Sequence, residues 1–349
     1  MSEPDYNKPL PLLGMGRTQL REICDAAAVK PSHAERLLAS LFRHCITDTG
    51  AIPGLPAALR AYLGRHGRIL QPEIIARRQA ADGTCKLLLG MPGGGEVETV
   101  LIPGEGRLTQ CVSTQAGCAM GCRFCLTATA GLARNLSAEE MAAEVMTAQS
   151  VSERQIRNLV LMGMGEPLHN YDEVAQFVRI AADPLGMAFS PNRITLSTAG
   201  LVPGIYRMIE DTLPCNLAVS LNATTDDVRS RIMPVNRKYP IAVLLQAVRD
   251  YIAARGRKRV LIEYVLLAGV NDSTADAERL VTLLDGINST INLLLFNAFA
   301  GSPYRRPDDA TVSAFRNVLV KADMVAVVRE SRGREISAAC GQLKTETAM

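Results

Sequence analysis

The chain has 349 residues, 48% of them hydrophobic and 21% charged, with a formal net charge of +3. That is the make-up of a globular protein with room for one large domain and a smaller one, and it excludes a low-complexity or disordered chain. The opening "MSEPDYNKPLPLLG" lacks the apolar core of a signal peptide, and apolar runs such as "INLLLFNAFA" are too short to span a bilayer, so the sequence predicts a cytoplasmic protein without a membrane partner.

In chain order, residues 17–68 read as short amphipathic helices ("RTQLREICDAAA", "SHAERLLASLFRH", "LPAALRAYLGRHG"). They carry eight Lys/Arg against four Asp/Glu, a local excess of +4 that exceeds the charge of the whole chain. Such an excess suits a solvated helical surface and equally a docking surface for nucleic-acid phosphate. Next, "PEIIARRQAADGTCKLLLGMPGGGEVETVLIP" alternates apolar residues between turn signals and reads as a small β-meander leading into the main domain. The expected organisation is a basic helical N-terminal domain over 1–70, a meander linker over 71–109 and a catalytic domain over 110–349.

From Gln110 the pattern becomes strand then helix, repeated. The runs "CVST", "NLVLMGM", "RITLSTAG", "NLAVSLNA", "VLIEYVLL" and "NLLLFNAF" alternate with helical patterns, the first of which opens on the capping box Ser137-x-x-Glu140. Six such units predict an α/β fold with a parallel, barrel-like sheet. Helices outside such a sheet leave both of its faces buried, which explains the near-continuous apolar strands. Ligands then sit at the strands' C-terminal ends, where the cysteine loop, "GMGEP", "STAG", "SLNA" and "NAFAGSP" fall.

The cysteine loop "CVSTQAGCAMGCRFC" places four of the chain's nine cysteines in fifteen positions. In a reducing compartment such a cluster more often holds metal than a structural disulfide. Cys118, Cys122 and Cys125 have the spacing C-x3-C-x2-C. A structural zinc site closes four ligands, and no histidine lies near to complete one. A cubane iron–sulfur cluster held by three thiolates keeps one iron open, which suggests chemistry at that iron. Three buried cysteines without a metal are the plain alternative. Cys24, Cys45, Cys85 and Cys215 read as small buried hydrophobes, and His33, His44, His66 and His169 form no ligand cluster.

The cysteine loop followed by "GMGEP" resembles the radical S-adenosylmethionine superfamily, with its partial (β/α)6 barrel. The stretches "DGTCKLLL", "VETVLIP", "CVSTQAGCAMGCRFCLTATAG", "LVLMGMGEPLHNYDEV", "RITLSTAGLVPGI", "AVSLNATTDDVRSRIMPVNRKYPI", "EYVLLAGVNDS", "NLLLFNAFAGSPYRRP" and "RGREISAACGQL" resemble, more narrowly, the RlmN/Cfr family of RNA adenine methyltransferases. The resemblance implies one 4Fe-4S cluster on Cys118, Cys122 and Cys125, and S-adenosyl-L-methionine used twice per turnover. It implies that Cys340 carries a methyl group, that Cys111 releases the RNA adduct by forming a disulfide, and that Glu98 accepts a proton. Cofactor contacts carried over are Gly165, Glu166, Ser197, Ser220, Leu221, Asn222 and Asn297. The partners implied are 23S ribosomal RNA and transfer RNA, with an electron donor such as flavodoxin or ferredoxin, acting on a monomer.

The chain departs from the family's pattern in places. It has "SLN" where the family commonly has "SLH", and its "PSHAERLLASLF" lacks the family's usual "FRAKQI" flavour in the RNA-docking segment. "GEP" favours carbon-2 methylation of adenine over the carbon-8 enzymes, whose motif usually reads "GEA". Three readings stand at this stage: an adenine carbon-2 methyltransferase, a paralogue acting on carbon 8 or another RNA, and an RNA-binding iron–sulfur protein without methyl transfer. Cys111, Cys340 and Glu98 speak against the last, because binding alone needs none of them.

Overall fold

The computed structural model describes residues 9–256 and 258–343; part of the opening stretch read for a signal peptide lies outside them. Its centre is one open sheet of ten strands that follow each other in space in chain order. They are β1 (Glu73–Gln79), β2 (Cys85–Gly90), β3 (Glu96–Gly104), β4 (Arg107–Cys111), β5 (Ile156–Leu161), β6 (Ile194–Thr198), β7 (Asn216–Ser220), β8 (Val260–Leu266), β9 (Ser289–Leu295) and β10 (Ala326–Arg329). The first four pair antiparallel and the last seven, from β4 onward, pair parallel.

β4 belongs to both halves. It closes the meander against β3, with Val100 opposite Cys111, and opens the parallel series against β5, with Cys111 opposite Val160. The first parallel strand therefore ends at Cys111 instead of starting there, and "VST" runs on as extended chain held by the Val112 N–H donating to the Val160 carbonyl at 2.9 Å. The boundary read at 109/110 falls inside this strand, because the meander's alternation and the first parallel run share one stretch of chain. The sequence reading also lacks β10, whose four residues are too few for a periodic signal.

The helix after β4, α5 in a chain-order count that begins with α1 (Arg17–Ala26), α2 (His33–Phe42), α3 (Ala57–His66) and α4 (Leu126–Thr129), spans Ala138–Ser150. Its capping box forms as expected: the Glu140 N–H donates to Ser137 Oγ at 3.2 Å and the Ser137 N–H to Glu140 Oε2 at 2.9 Å. The N-terminal helices pack onto this layer and share one apolar core with it, Leu20, Leu37 and Leu41 being fully buried. Each such leucine contributes roughly 1.5–3 kcal/mol. Arg17 clamps Asp183 with two hydrogen bonds of 2.7 and 2.6 Å, and Arg68 reaches Glu139 of α5. Cys24, Cys85 and Cys215 are buried, but Cys45 is exposed: α2 ends at Phe42, and Cys45 takes φ +49 in the turn beyond. Among the described residues no helix is long and apolar enough to cross a membrane.

One buried side chain organises the strand ends. Arg229, on α8 (Asp226–Ile232; α6 is Tyr171–Ala182 and α7 Val202–Glu210), is fully buried. Its guanidinium donates to the carbonyls of Ala199 (2.7 Å), Ser220 (3.1 Å) and Leu221 (2.9 Å) and to Asn236 Oδ1 (3.0 Å). These carbonyls lie at the last residue of β7 and on the loops after β6 and β7, so one cation fixes both strand ends. Burial pulls its pKa down to about 10, which leaves it charged at neutral pH.

Glu144 of α5 is buried behind β4 and accepts from the Ser113 N–H at 3.0 Å. Burial raises its pKa to about 8, against the lowering effect of that bond. An unfolded carboxyl releases its proton near its ordinary value of about 4.3. The native state thus binds more protons between those values, and stability falls as pH rises from about 4.5 to about 8. In urea titrations of the apoprotein across this window, Glu144→Gln should flatten the fall; an unchanged pH dependence would refute the assignment.

Candidate active site at the C-terminal rim of the sheet

The loops after the parallel strands converge on one rim. After β5 the chain turns through Gly165 at φ +104, and a Cβ added there would come within 2.7–2.8 Å of the side chain and backbone of Gln115. Glycine is therefore required on both steric and conformational grounds. Gln115 fixes this turn by accepting the Glu166 N–H on Oε1 at 2.8 Å. The Glu166 carboxylate is engaged in turn: Oε1 accepts from the Leu168 N–H (3.1 Å) and Oε2 from the Ala199 N–H (2.7 Å). This carboxyl, raised to about 7 by burial, ties the loop after β5 to the loop after β6. What the turn offers a ligand is its backbone.

The cysteine loop crosses the same rim. Its backbone is held by the Cys118 N–H donating to the Gly131 carbonyl (2.7 Å), Arg123 N–H to Ile232 of α8 (2.9 Å) and Cys125 N–H to Cys122 (3.1 Å). Burial raises Cys118 to about 11 and raises Cys122 well above its ordinary value, and each is raised again by neighbouring cysteines of the loop. Three half-buried thiols that repel one another when ionised are a donor set that wants a cationic guest. Among the described residues no three His, Cys, Asp or Glu side chains converge closely enough for a single metal ion. A cubane asks for wider spacing, since each thiolate binds a different iron corner, and the loop fits that group.

Residues 333–343 form a strap that brings Cys340 to the rim. On one side the Leu126 N–H donates to the Gly341 carbonyl (2.7 Å) and Thr127 Oγ1 to the Leu343 carbonyl (2.6 Å), immediately after Cys125. From the loop after β9, Asn297 Nδ2 donates to the Cys340 carbonyl (3.2 Å), and Gln342 Nε2 reaches back to Ala298 (3.2 Å). On the other side the Gly333 N–H donates to Asp82 and Lys86 Nζ to the Ser337 carbonyl (3.0 and 3.1 Å). Cys340 is solvent-exposed, yet protein surrounds it closely enough that desolvation, then Glu263 and Cys125, push its thiol up to about 11. Cys111 is buried at the end of β4; desolvation raises its pKa and the charge of Cys340 raises it further. Both are free thiols.

Glu98, on β3, is buried, and its Oε1 lies 2.7 Å from Lys86 Nζ on β2. Asn297 Oδ1 and Gln342 Oε1 are buried acceptors with no hydrogen-bond partner among the described residues. An orphaned acceptor at a rim suits a ligand bearing hydroxyl or amino hydrogens. Ser197 and Ser220 are half-buried on β6 and β7, in keeping with ligand contact. Asn222 is different: it takes φ +57, its Oδ1 accepts the Val265 N–H (2.8 Å) and its carbonyl accepts from Asn271 (2.7 Å). Its side chain faces the protein, as does that of fully buried Leu221. Sequence reasoning missed Lys86 and Arg229. A lysine inside the apolar run "CKLLLG" was the signal for the first; nothing local marks the second.

A family model described as "Radical SAM superfamily" matches residues 112–281. The dual-specificity RNA methyltransferase RlmN of Rhodospirillum rubrum is 42% identical over 99% of this chain and 83% of its own length. That of Jannaschia sp. is 42% identical over 97% of this chain and 91% of its own. The chain belongs to the RlmN family of radical SAM methyltransferases. The crystal structure of a radical SAM methyltransferase from Sphaerobacter thermophilus superposes with a TM-score of 0.91 at 42% identity, covering 97% of this chain and all of that one.

Gly165→Ala should weaken binding of S-adenosyl-L-methionine at least about tenfold and cost roughly 1–3 kcal/mol of stability. Gly94→Ala is the control, also at positive φ (+89) but with open space around the new methyl. Equilibrium dialysis and denaturant melts read both effects, and unimpaired cofactor binding by Gly165→Ala would count against the placement.

Proposed function

We propose that this enzyme methylates carbon 2 of adenine in 23S ribosomal RNA and in transfer RNA, using Cys340 as the methyl carrier. The observation that carries this reading is the strap: it fastens Cys340, an exposed residue, to the residues that follow the last cluster cysteine, where the charge of its sulfur acts on Cys111. A methyltransferase that passed the methyl group directly from cofactor to base would need neither cysteine.

One four-iron cluster on Cys118, Cys122 and Cys125, with S-adenosyl-L-methionine bound twice per turnover, would supply first an electrophilic methyl group and then a hydrogen-abstracting radical. The backbone at Gly165 and Glu166, the hydroxyls of Ser197 and Ser220 and the orphaned Asn297 Oδ1 would hold the cofactor; Leu221 and Asn222 lend backbone and support. Cys340 loses its thiol proton on accepting the methyl group as a thioether. Once the methylene carbon is bonded to adenine, Glu98 takes the proton from carbon 2, and the adduct's unpaired electron would return to the cluster that supplied it, leaving a closed-shell thioether. Cys111 then attacks the Cys340 sulfur: an S–S bond forms, the S–CH2 bond breaks, and the methylene takes up the thiol proton to become the product methyl. The two cysteines, free in this structure, are thereby joined only at the end of a cycle.

RNA would reach the rim from solvent. The N-terminal segment's excess of +4 is partly spent within the fold, since Arg17 and Arg68 pair with Asp183 and Glu139 outside it. Lys30 and Arg65 remain exposed there, and they are the residues assigned to RNA phosphate. An acidic one-electron carrier such as flavodoxin or ferredoxin, a monomeric state and a cytoplasmic setting complete the reading.

Because the N-terminal helices share the main core, point variants test docking better than deletion does. Lys30→Ala with Arg65→Ala should weaken RNA binding and lower the slope of log affinity against log salt by up to about 2. An unchanged slope would make this segment a solvated surface.

The chemistry is tested by a contrast. With RNA, cofactor and reductant, Cys111→Ala should stay covalently joined to RNA through Cys340, seen as a shifted band on a denaturing gel and a cross-linked peptide by mass spectrometry. Cys340→Ala should give neither adduct nor methyladenosine. Normal turnover by Cys340→Ala would rule out the methyl-carrier mechanism.

A further inference from the structure

Lys86 stands out in the meander because it occupies two sites at once. It lies on β2 opposite Val100, two residues from Leu88, which is opposite Glu98; the two charged side chains are thus diagonal neighbours on one face of the antiparallel pair. The ammonium is 2.7 Å from Glu98 Oε1, and side-chain exposure is only 8% for the lysine and 5% for the glutamate. The same nitrogen donates to the Ser337 carbonyl at 3.1 Å, three residues before Cys340. Lysine offers three donors and no acceptor, so one ammonium can hold a carboxylate and a carbonyl together without a proton changing hands.

A proton acceptor must be ionised before it can accept. A carboxylate this buried reverts to the neutral acid unless a charge or hydrogen bonds hold it ionised. We propose that Lys86 is a positioning residue: it holds Glu98 as the ionised proton acceptor and, through the Ser337 carbonyl, sets the methyl-carrying strap against it. The inference rests on the reading of Glu98 as the acceptor of the carbon-2 proton. In that step the C–H bond breaks, its electron pair stays in the adduct and its proton passes to Glu98, while Lys86 keeps all of its own protons. Other titratable or charged groups around the pair are Cys111 on β4, Cys340 on the strap, Asp82 and Glu335 at the strap's outer anchors, and Arg329 and Arg332 at its start. Lys86 bonds to the base and to the strap, which makes it the connection between them.

The arrangement assigns the meander a catalytic role. It carries the base, the base's counter-charge and an anchor of the methyl carrier, all before the first parallel strand is complete.

The experiment uses reconstituted full-length enzyme with an RNA fragment, comparing Lys86→Met, Lys86→Arg and Glu98→Gln. Mass spectrometry follows Cys340 methylation, and quenched time courses follow covalent adduct and methyladenosine from about pH 6 to about pH 9. In Lys86→Met the strap keeps its bonds to Leu126, Thr127, Asn297 and Ala298, so Cys340 methylation should stay within about twofold of the parent. Methyladenosine formation near neutral pH should fall at least about tenfold, with adduct accumulating. The acid limb of its pH profile should move up by about a unit or more, because a base without its counter-charge is ionised only at higher pH. Lys86→Arg, which keeps the charge, should leave the limb in place. A slower Lys86→Met enzyme with an unmoved limb, or one that loses Cys340 methylation in proportion, would show a structural role and overturn the inference alone. Full turnover by Glu98→Gln would instead overturn the reading of the base, and the inference with it.

Discussion

The rim depends on the burial of one guanidinium. Arg229 has no acceptor capacity and five N–H donors, and once α8 has carried it under the strand ends those donors must find oxygens. They find the carbonyls after β6 and β7 and the amide of Asn236. Loops that would otherwise follow solvent are thereby drawn inward around a common point. The same helix anchors the cysteine loop through the Ile232 carbonyl, so the loops after β6 and β7 and the cysteine loop are placed by a single element. The carboxylate of Glu166 does the equivalent work one strand earlier, bridging the loops after β5 and β6. Polar groups that look available for a ligand in a motif are, in these two cases, the braces of the site.

A second theme is the way distant chain segments share the labour of one reaction. In the proposed reading the methyl carrier, Cys340, lies on the last described residues, the resolving thiol, Cys111, on the strand common to both halves of the sheet, and the proton acceptor, Glu98, on the meander. The strap reconciles these by bonding on each side, to the cluster loop at Leu126 and Thr127 and to the meander at Asp82 and Lys86. A residue held this way can lie at the surface, as Cys340 does, without losing its position, while its thiol is shielded by the protein around it. Both thiols are held well above the ordinary range by burial.

The N-terminal helices show how charge counted along a sequence can mislead about surface. Their basic excess is a property of the segment, yet Arg17 and Arg68 are the bolts that fix it to Asp183 and Glu139. Others donate to carbonyls, as Arg60 does to Gly50 at 2.6 Å. Cation count therefore overstates the charge presented to a polyanion.

Much of the site was legible in the sequence. The C-x3-C-x2-C spacing, the capping box at Ser137, the apolar runs of the parallel strands and the motif matches that single out Cys111, Cys340 and Glu98 are local or pattern signals, and they survive being read one residue at a time. Boundaries were less legible: β4 serves an antiparallel and a parallel neighbour, and nothing along the chain says that one strand will do both. What tertiary structure alone decided is which polar groups face a ligand and which face the protein. Asn222 and Glu166 turn their side chains inward, whereas Lys86, one cation within an apolar strand, joins Glu98 to the strap that bears Cys340. The physical reason is that a hydrogen bond is settled by the partner within reach after folding, and for these groups that partner lies as far as 251 residues away in sequence.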